Sequence, residues 1–148
     1  MPYLRVTCPP LPAGRKAEVA RQLTEAVNLL FFSPRGGPTR EELREHTTVH
    51  FAEVCDEDLY IGGRTPRERG RVDLTVELSD WNMSTRKQRQ VARHLTPVLA
   101  RLFGVGPEDV DGINLRFHSY PPRDFAVGGR LLSDRVPWVG QFLKGRGG

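Results

Sequence analysis

The sequence predicts an α/β protein built as a tandem βαβ repeat: a four-stranded, mainly parallel-unit sheet with two helices on one face. Three observations carry this. The chain repeats itself, because Val19-Ala20-Arg21-Gln22-Leu23-Thr24 meets Val91-Ala92-Arg93-His94-Leu95-Thr96 with five of six positions identical, and Leu30-Phe31 meets Leu102-Phe103 at the same offset of 72. Farther on, Phe51, Asp58 and Gly62-Gly63-Arg64 meet Phe117, Asp124 and Gly128-Gly129-Arg130 at an offset of 66, the difference lying around Ser33 to Pro38. The hydrophobic period switches from strand-like to helical and back in each half. Finally, a strand-crossover-strand of this length is normally parallel and right-handed. One domain over 1–148 is expected, with a first repeat at 1–66, a second at 71–132 and a tail at 133–148.

In chain order, Tyr3 to Thr7 alternates with Leu4 and Val6 on one face, a half-buried strand that Pro9, Pro10 and Pro12 stop. From Gly14 to Phe32, Val19, Leu23, Ala26, Val27, Leu30 and Phe31 follow helical spacing. Thr39 and Glu42 form a capping box that starts one or two turns ending near His46. Thr47 to Val54 reads as a β-branched strand, followed by the acidic turn Asp56-Glu57-Asp58. Arg64 to Arg71 reads as a basic link, and Val72, Leu74, Val76 and Leu78 alternate as a third strand. Ser84 caps a second helix that runs to Phe103 and ends at Gly104. Ile113 to Tyr120 is the fourth strand, and the tail around Trp138 closes the sequence. Strands this apolar predict a second sheet face that oligomerisation would cover.

The 148 residues suffice for one domain with a real core. A net charge of +4 suits a solvated basic surface first, and an acidic small molecule or nucleic acid second. Cys8 and Cys55 form neither a CxxC nor a disulfide framework and read as reduced thiols. With no signal segment and no long apolar run, a cytoplasmic protein with no membrane contact is expected. His46 and His50 are four apart, but the intervening run reads as strand, so no metal site is expected. No aromatic stacking platform accompanies Arg64, Arg67, Arg69 and Arg71, so no nucleic-acid partner is expected either.

The residue with chemistry to offer is Pro2. Once Met1 is removed it is a secondary amine at a chain end, a group with an unperturbed pKa near 8, and burial disfavours its cation. On this dipeptide alone, a Met-Pro start without catalytic purpose is the simpler reading.

The wider pattern resembles the tautomerase superfamily, in particular fused forms of 4-oxalocrotonate tautomerase in which two βαβ units share one chain. The matching features are Pro2 at the first strand, Arg21-Gln22-Leu23-Thr24-Glu25-Ala26-Val27 in the first helix, and Gly106-Pro107-Glu108-Asp109-Val110 before the last strand. The Ile61-Gly62-Gly63 and Val127-Gly128-Gly129 turns complete the set. The resemblance implies a homotrimer of fused chains, no cofactor, and Pro2 as base, acid or nucleophile in a small apolar pocket. The second half has no proline near Val72 to Leu74, which implies one site per chain.

The family's carboxylate-binding arginines fall near Leu11 and Met83 and on Thr48 and Asn114, none of them basic. The arginine pair of related dehalogenases and decarboxylases would fall within Asp80 to Met83 and is absent too. A substrate other than the founding enzyme's dicarboxylate is therefore expected. Arg116, two residues beyond Asn114 and on the same strand face, is the candidate replacement anchor, with a surface or intersubunit ion pair as its plainer role. Asn114 is a candidate hydrogen-bond donor to a carbonyl oxygen. Phe125, the retained aromatic before the Gly-Gly turn, is a candidate pocket wall or a core residue; the first half has Leu59 there. Tyr3, Tyr120, His50 and His118 complete the candidates. The expected function is a cofactor-independent tautomerase or isomerase acting on a small carboxylate or keto/enol substrate, with Pro2 as general base. The alternatives are a hydratase, hydrolytic dehalogenase or decarboxylase with cationic Pro2 as general acid, and a non-catalytic trimeric binding protein.

Overall fold

The structure, a computed structural model, describes residues 1–135. The expectation for the tail around Trp138 lies outside the described residues. Strand β1 (Tyr3–Cys8) buries Leu4, Val6 and Cys8 on one face. Helix α1 (Ala13–Phe31) turns Val19, Leu23 and Val27 onto that face. The short helix α2 (Arg40–Glu45) begins with the expected capping box, Thr39 accepting from the Glu42 amide and Glu42 from the Thr39 amide. Strand β2 (Thr48–Glu53) returns parallel to β1, with Leu4 beside Val49 and Val6 beside Phe51.

The link to the second half is more ordered than its composition suggests. Thr65 and Glu68 form a second capping box, which starts a one-turn helix α3 (Pro66–Arg69) with Pro66 in its first turn. Strand β3 (Leu74–Trp81) starts later and ends later than the expected Val72 to Leu78. Helix α4 (Thr85–Phe103) is capped by Ser84, whose hydroxyl accepts from the Lys87 amide, and stops at Gly104 in the left-handed region at φ 64°. Strand β4 (Ile113–Tyr120) lies parallel to β3. Two short strands, β5 (Ala126–Val127) and β6 (Arg130–Leu131), form a hairpin around Gly128-Gly129, and α5 (Leu132–Arg135) follows. Both hairpin glycines have positive φ, as a two-residue turn matching the strand twist requires.

The main sheet runs β2-β1-β3-β4. Each half contributes one parallel pair, and the halves meet where β1 and β3 run antiparallel with Leu4 opposite Leu78 and Val6 opposite Val76. Both long helices lie on one face, where Val91, Leu95 and Leu99 of α4 join the buried residues of α1, β1 and β3 in one core. The other face is not the apolar surface expected from the sequence. The row His50, Arg5, Glu77, Arg116 crosses it, and Glu77 pairs with Arg5 at 3.9 Å and His118 at 3.4 Å. The reason is that Leu4, Val6, Val49, Phe51, Val76, Leu78, Leu115 and Phe117 all join the core on the helix side. No helix among the described residues is long and apolar enough to cross a membrane.

Candidate active site

The central antiparallel pair creates the site. One step beyond the Tyr3–Ser79 pairing, Pro2 comes opposite Asp80, both in the phase that faces the helices and both buried. Asp80 is 6% exposed. Its carboxylate accepts a hydrogen bond from the Met1 ammonium at 2.6 Å, an ion pair between the chain end and the end of β3. Burial pushes the Asp80 carboxyl above its ordinary range, while the Met1 ammonium and the Trp81 backbone amide pull it back.

Beside this pair opens a cavity of about 610 Å³, walled by Met1, Pro2, Phe31, Leu43, His46, Asp80, Trp81 and Leu132. Its α2 wall is tied to α1 in two places. The fully buried Asn28 donates to the Arg40 carbonyl at 2.7 Å and accepts from the Arg40 guanidinium at 2.9 Å. Arg44 grips Glu25 through contacts of 2.7 and 3.2 Å, which hold the Glu25 carboxyl below its usual range. Glu42, at the cavity, is lowered by the Thr39 backbone amide and hydroxyl of the capping box. The β3 side is fixed to β4: the Asn82 amide donates to the Tyr120 carbonyl at 3.0 Å, and the Met83 amide to the Ser119 hydroxyl at 3.0 Å. Asn82 takes φ 50°, a conformation that asparagine tolerates better than most residues.

Within one chain the expected residues do not all converge. Phe125 stacks obliquely on Tyr120, ring centroids 5.6 Å apart, at the same end of the sheet as Pro2. Burial and the nearby Asp80 charge push the Tyr120 hydroxyl up to about 12. Tyr3 points to the open face, where its hydroxyl shares a 2.7 Å hydrogen bond with His50 Nδ1. Arg116 and Asn114 are also on that face, Arg116 beside Glu77, while Asn114 lies toward the opposite end, beside Thr75. Asp80, by contrast, was not among the candidates. Its signal is plain once β3 is extended, because Leu74, Val76, Leu78 and Asp80 form one uninterrupted buried series.

The internal repeat supplies a comparison within the chain. The shift of 72 that carries Val19 to Val91 also carries Leu4 to Val76, and the shift of 66 carries its partner Val49 to Leu115, which is indeed the partner of Val76. The same shift places Pro2 on Leu74 and Cys8 on Asp80. At the far end of the sheet, Leu74 and Cys8 therefore face one another where Pro2 and Asp80 do here. A second cavity of about 620 Å³ lies there, walled by Cys8, Pro9, Pro10, Leu59, Pro66 and Val72, with Arg67 and Arg71 of the basic link at its edge. Burial raises the Cys8 thiol to about 11, so Cys8 itself stays a neutral thiol at neutral pH.

Among solved structures, native fused 4-OT superposes with a TM-score of 0.73 at 18% identity, covering 89% of this chain and 97% of that one. The chain has the fused 4-OT fold. A second fused 4-OT, F6, described as an asymmetric trimer, matches at a TM-score of 0.72 and 16% identity, over 90% of this chain and 98% of its own. N1, a member of the cis-3-chloroacrylic acid dehalogenase family, matches at 0.67 and 18%, over 97% and 96%. No family model and no curated protein sequence matches. In the terms of the fused 4-OT fold, the first unit of this chain supplies the amino terminus and the second supplies the carboxylate that meets it.

Proposed function

We propose that the chain, once Met1 is removed, is a cofactor-independent tautomerase that moves a proton on a small enolisable carbonyl acid, with the Pro2 amine as general base. The observation that carries this reading is the position of Pro2: buried at the end of the central strand pair, in the wall of a cavity large enough for a small ligand. Its nitrogen is an amide while Met1 is attached and becomes a titratable amine on removal. The same group can then take a proton α to a carbonyl and return it elsewhere. We further infer a cytoplasmic homotrimer, supported by the trimeric fused 4-OT relative. Since Arg116 and Asn114 face away from Pro2 in their own chain, they enter this reading only as contributions to a neighbouring chain's site.

The Asp80 carboxylate favours a second reading, in which Pro2 rests as a cation and serves as general acid in hydration, hydrolytic dehalogenation or decarboxylation. Ketonisation of simple 2-hydroxydienoates and phenylenolpyruvate by the wild type and Pro2→Ala tests the catalytic role. Removal of a positioned acid–base group is expected to cost roughly 10²–10⁴-fold in rate. Equal rates would defeat the assignment. Mass spectrometry of the purified protein checks the free amine: intact Met1 would leave the binding-protein reading.

A further inference from the structure

We propose that Asp80 is the charge partner of the processed amino terminus, holding the Pro2 nitrogen as a cation so that it begins each turnover as a proton donor. This rests on the second reading above, in which Pro2 rests as a cation and serves as general acid, and adds the group that sets its charge. The structure holds Met1, and the Met1 ammonium occupies Asp80 at 2.6 Å. Removing Met1 takes that cation away and creates another one residue along the chain, within about 3.8 Å by the spacing of successive residues. Pro2 is also opposite Asp80 across the antiparallel pair, where side-chain β carbons are about 4.5–5.5 Å apart. A buried carboxylate stripped of its cation is unfavourable, and the new amine is the cation nearest to hand.

Among the described residues, no lysine or arginine lines the cavity. From α2, the titratable groups at the cavity are Glu42 and His46, and Glu42 is already engaged by the Thr39 amide. From β4 comes the Tyr120 hydroxyl, which stays neutral. Phe31 of α1 and Leu132 of α5 are apolar. Among the described residues, two carboxylates line the cavity, Glu42 and Asp80, and Asp80 is the buried one. The repeat points the same way, because the end without an amine carries Cys8 at the corresponding position. In the step this implies, the Pro2 ammonium gives its proton to the carbon of a bound enol while the enol hydroxyl loses its own. That second proton passes to the Pro2 nitrogen and restores the ammonium, and Asp80 stays ionised throughout. Asp80 thus acts through Pro2, as a positioning residue.

The test is the titration of the amine itself, read by nitrogen NMR on full-length protein labelled at proline and shown by mass to lack Met1. The reference is a short peptide beginning Pro-Tyr-Leu. Wild-type Pro2 is expected to titrate above the peptide, and Asp80→Asn to lower it by about 1–3 units, the effect of an opposite charge at this range. Asp80→Glu is expected to restore most of the shift, and the acidic and basic limbs of the ketonisation pH–rate profile to move with it. Wild-type Pro2 titrating at or below the peptide would overturn the proposal without recourse to any variant. An unchanged titration in folded Asp80→Asn would overturn it as well. Neither result depends on activity, so failure of the catalytic reading, shown by a fully active Pro2→Ala, is distinguishable from failure of this one.

Discussion

Asp80 illustrates how a single side chain can be invisible to pattern reading and yet govern a site. Asp80 lies two residues past Leu78, where the alternation read from the sequence ends, and the pairing of β3 with β1 shows that the strand carries it into the buried phase. The consequence extends to Tyr120. Its hydroxyl is raised to about 12 by burial and by the Asp80 charge, against a usual value near 10. An acid whose pKa is raised by folding holds its proton more tightly in the native state, so it contributes stability that is lost as pH rises from about 10 to about 12. Ultraviolet titration is expected to show a late phase from Tyr120, ionising only near unfolding. Asp80→Asn should bring that late phase earlier, toward the ordinary value. A late phase unmoved by the variant would mean that burial alone sets it.

At the level of elements, the small helix α2 is the piece whose placement decides whether the cavity has a second wall. Its capping box was legible in Thr39 and Glu42, because that motif is local. Its attachment was not, since Asn28 reads as an ordinary polar position on α1 until its contact with Arg40 is seen. Asn28→Ala removes both hydrogen bonds that tie α1 to Arg40 and is expected to cost about 0.5–1.5 kcal/mol for each, measured by denaturant unfolding. The same variant should raise KM more than it lowers kcat, as the wall bearing Leu43 and His46 loosens. The same division between local and long-range information runs through the chain. The helices, the repeat and the parallel pairs were readable from periodicity and internal similarity. The polar character of the open face was not, because the alternation of Arg5, Glu77, Arg116 and His118 acquires a side only when the strands are paired.

On the scale of the whole molecule, the polar sheet face changes what an assembly would be built from. A homotrimer of this chain would bring charged and hydrogen-bonding rows together, rather than bury a greasy surface, and such contacts weaken as salt screens them. Sedimentation equilibrium is expected to give three times the 16.7 kDa chain mass at low salt, with dissociation favoured as salt rises. A monomer at all salts would remove the assembly that Arg116 and Asn114 need in order to reach a neighbouring Pro2. The junction of β1 with β3 also carries a lesson about duplicated chains. In a dimer of identical units every substitution appears at both ends of the sheet, whereas here Pro2 and Asp80 stand at one end and Leu74 and Cys8 at the other. Writing proline into position 74 would not undo that difference, since a nitrogen inside the chain is an amide whose lone pair is shared with the carbonyl. Only a cut directly between Asp73 and residue 74 would free a proline nitrogen at that end. The fold thus counts its possible bases by chain ends, and joining two units into one polypeptide halves that count.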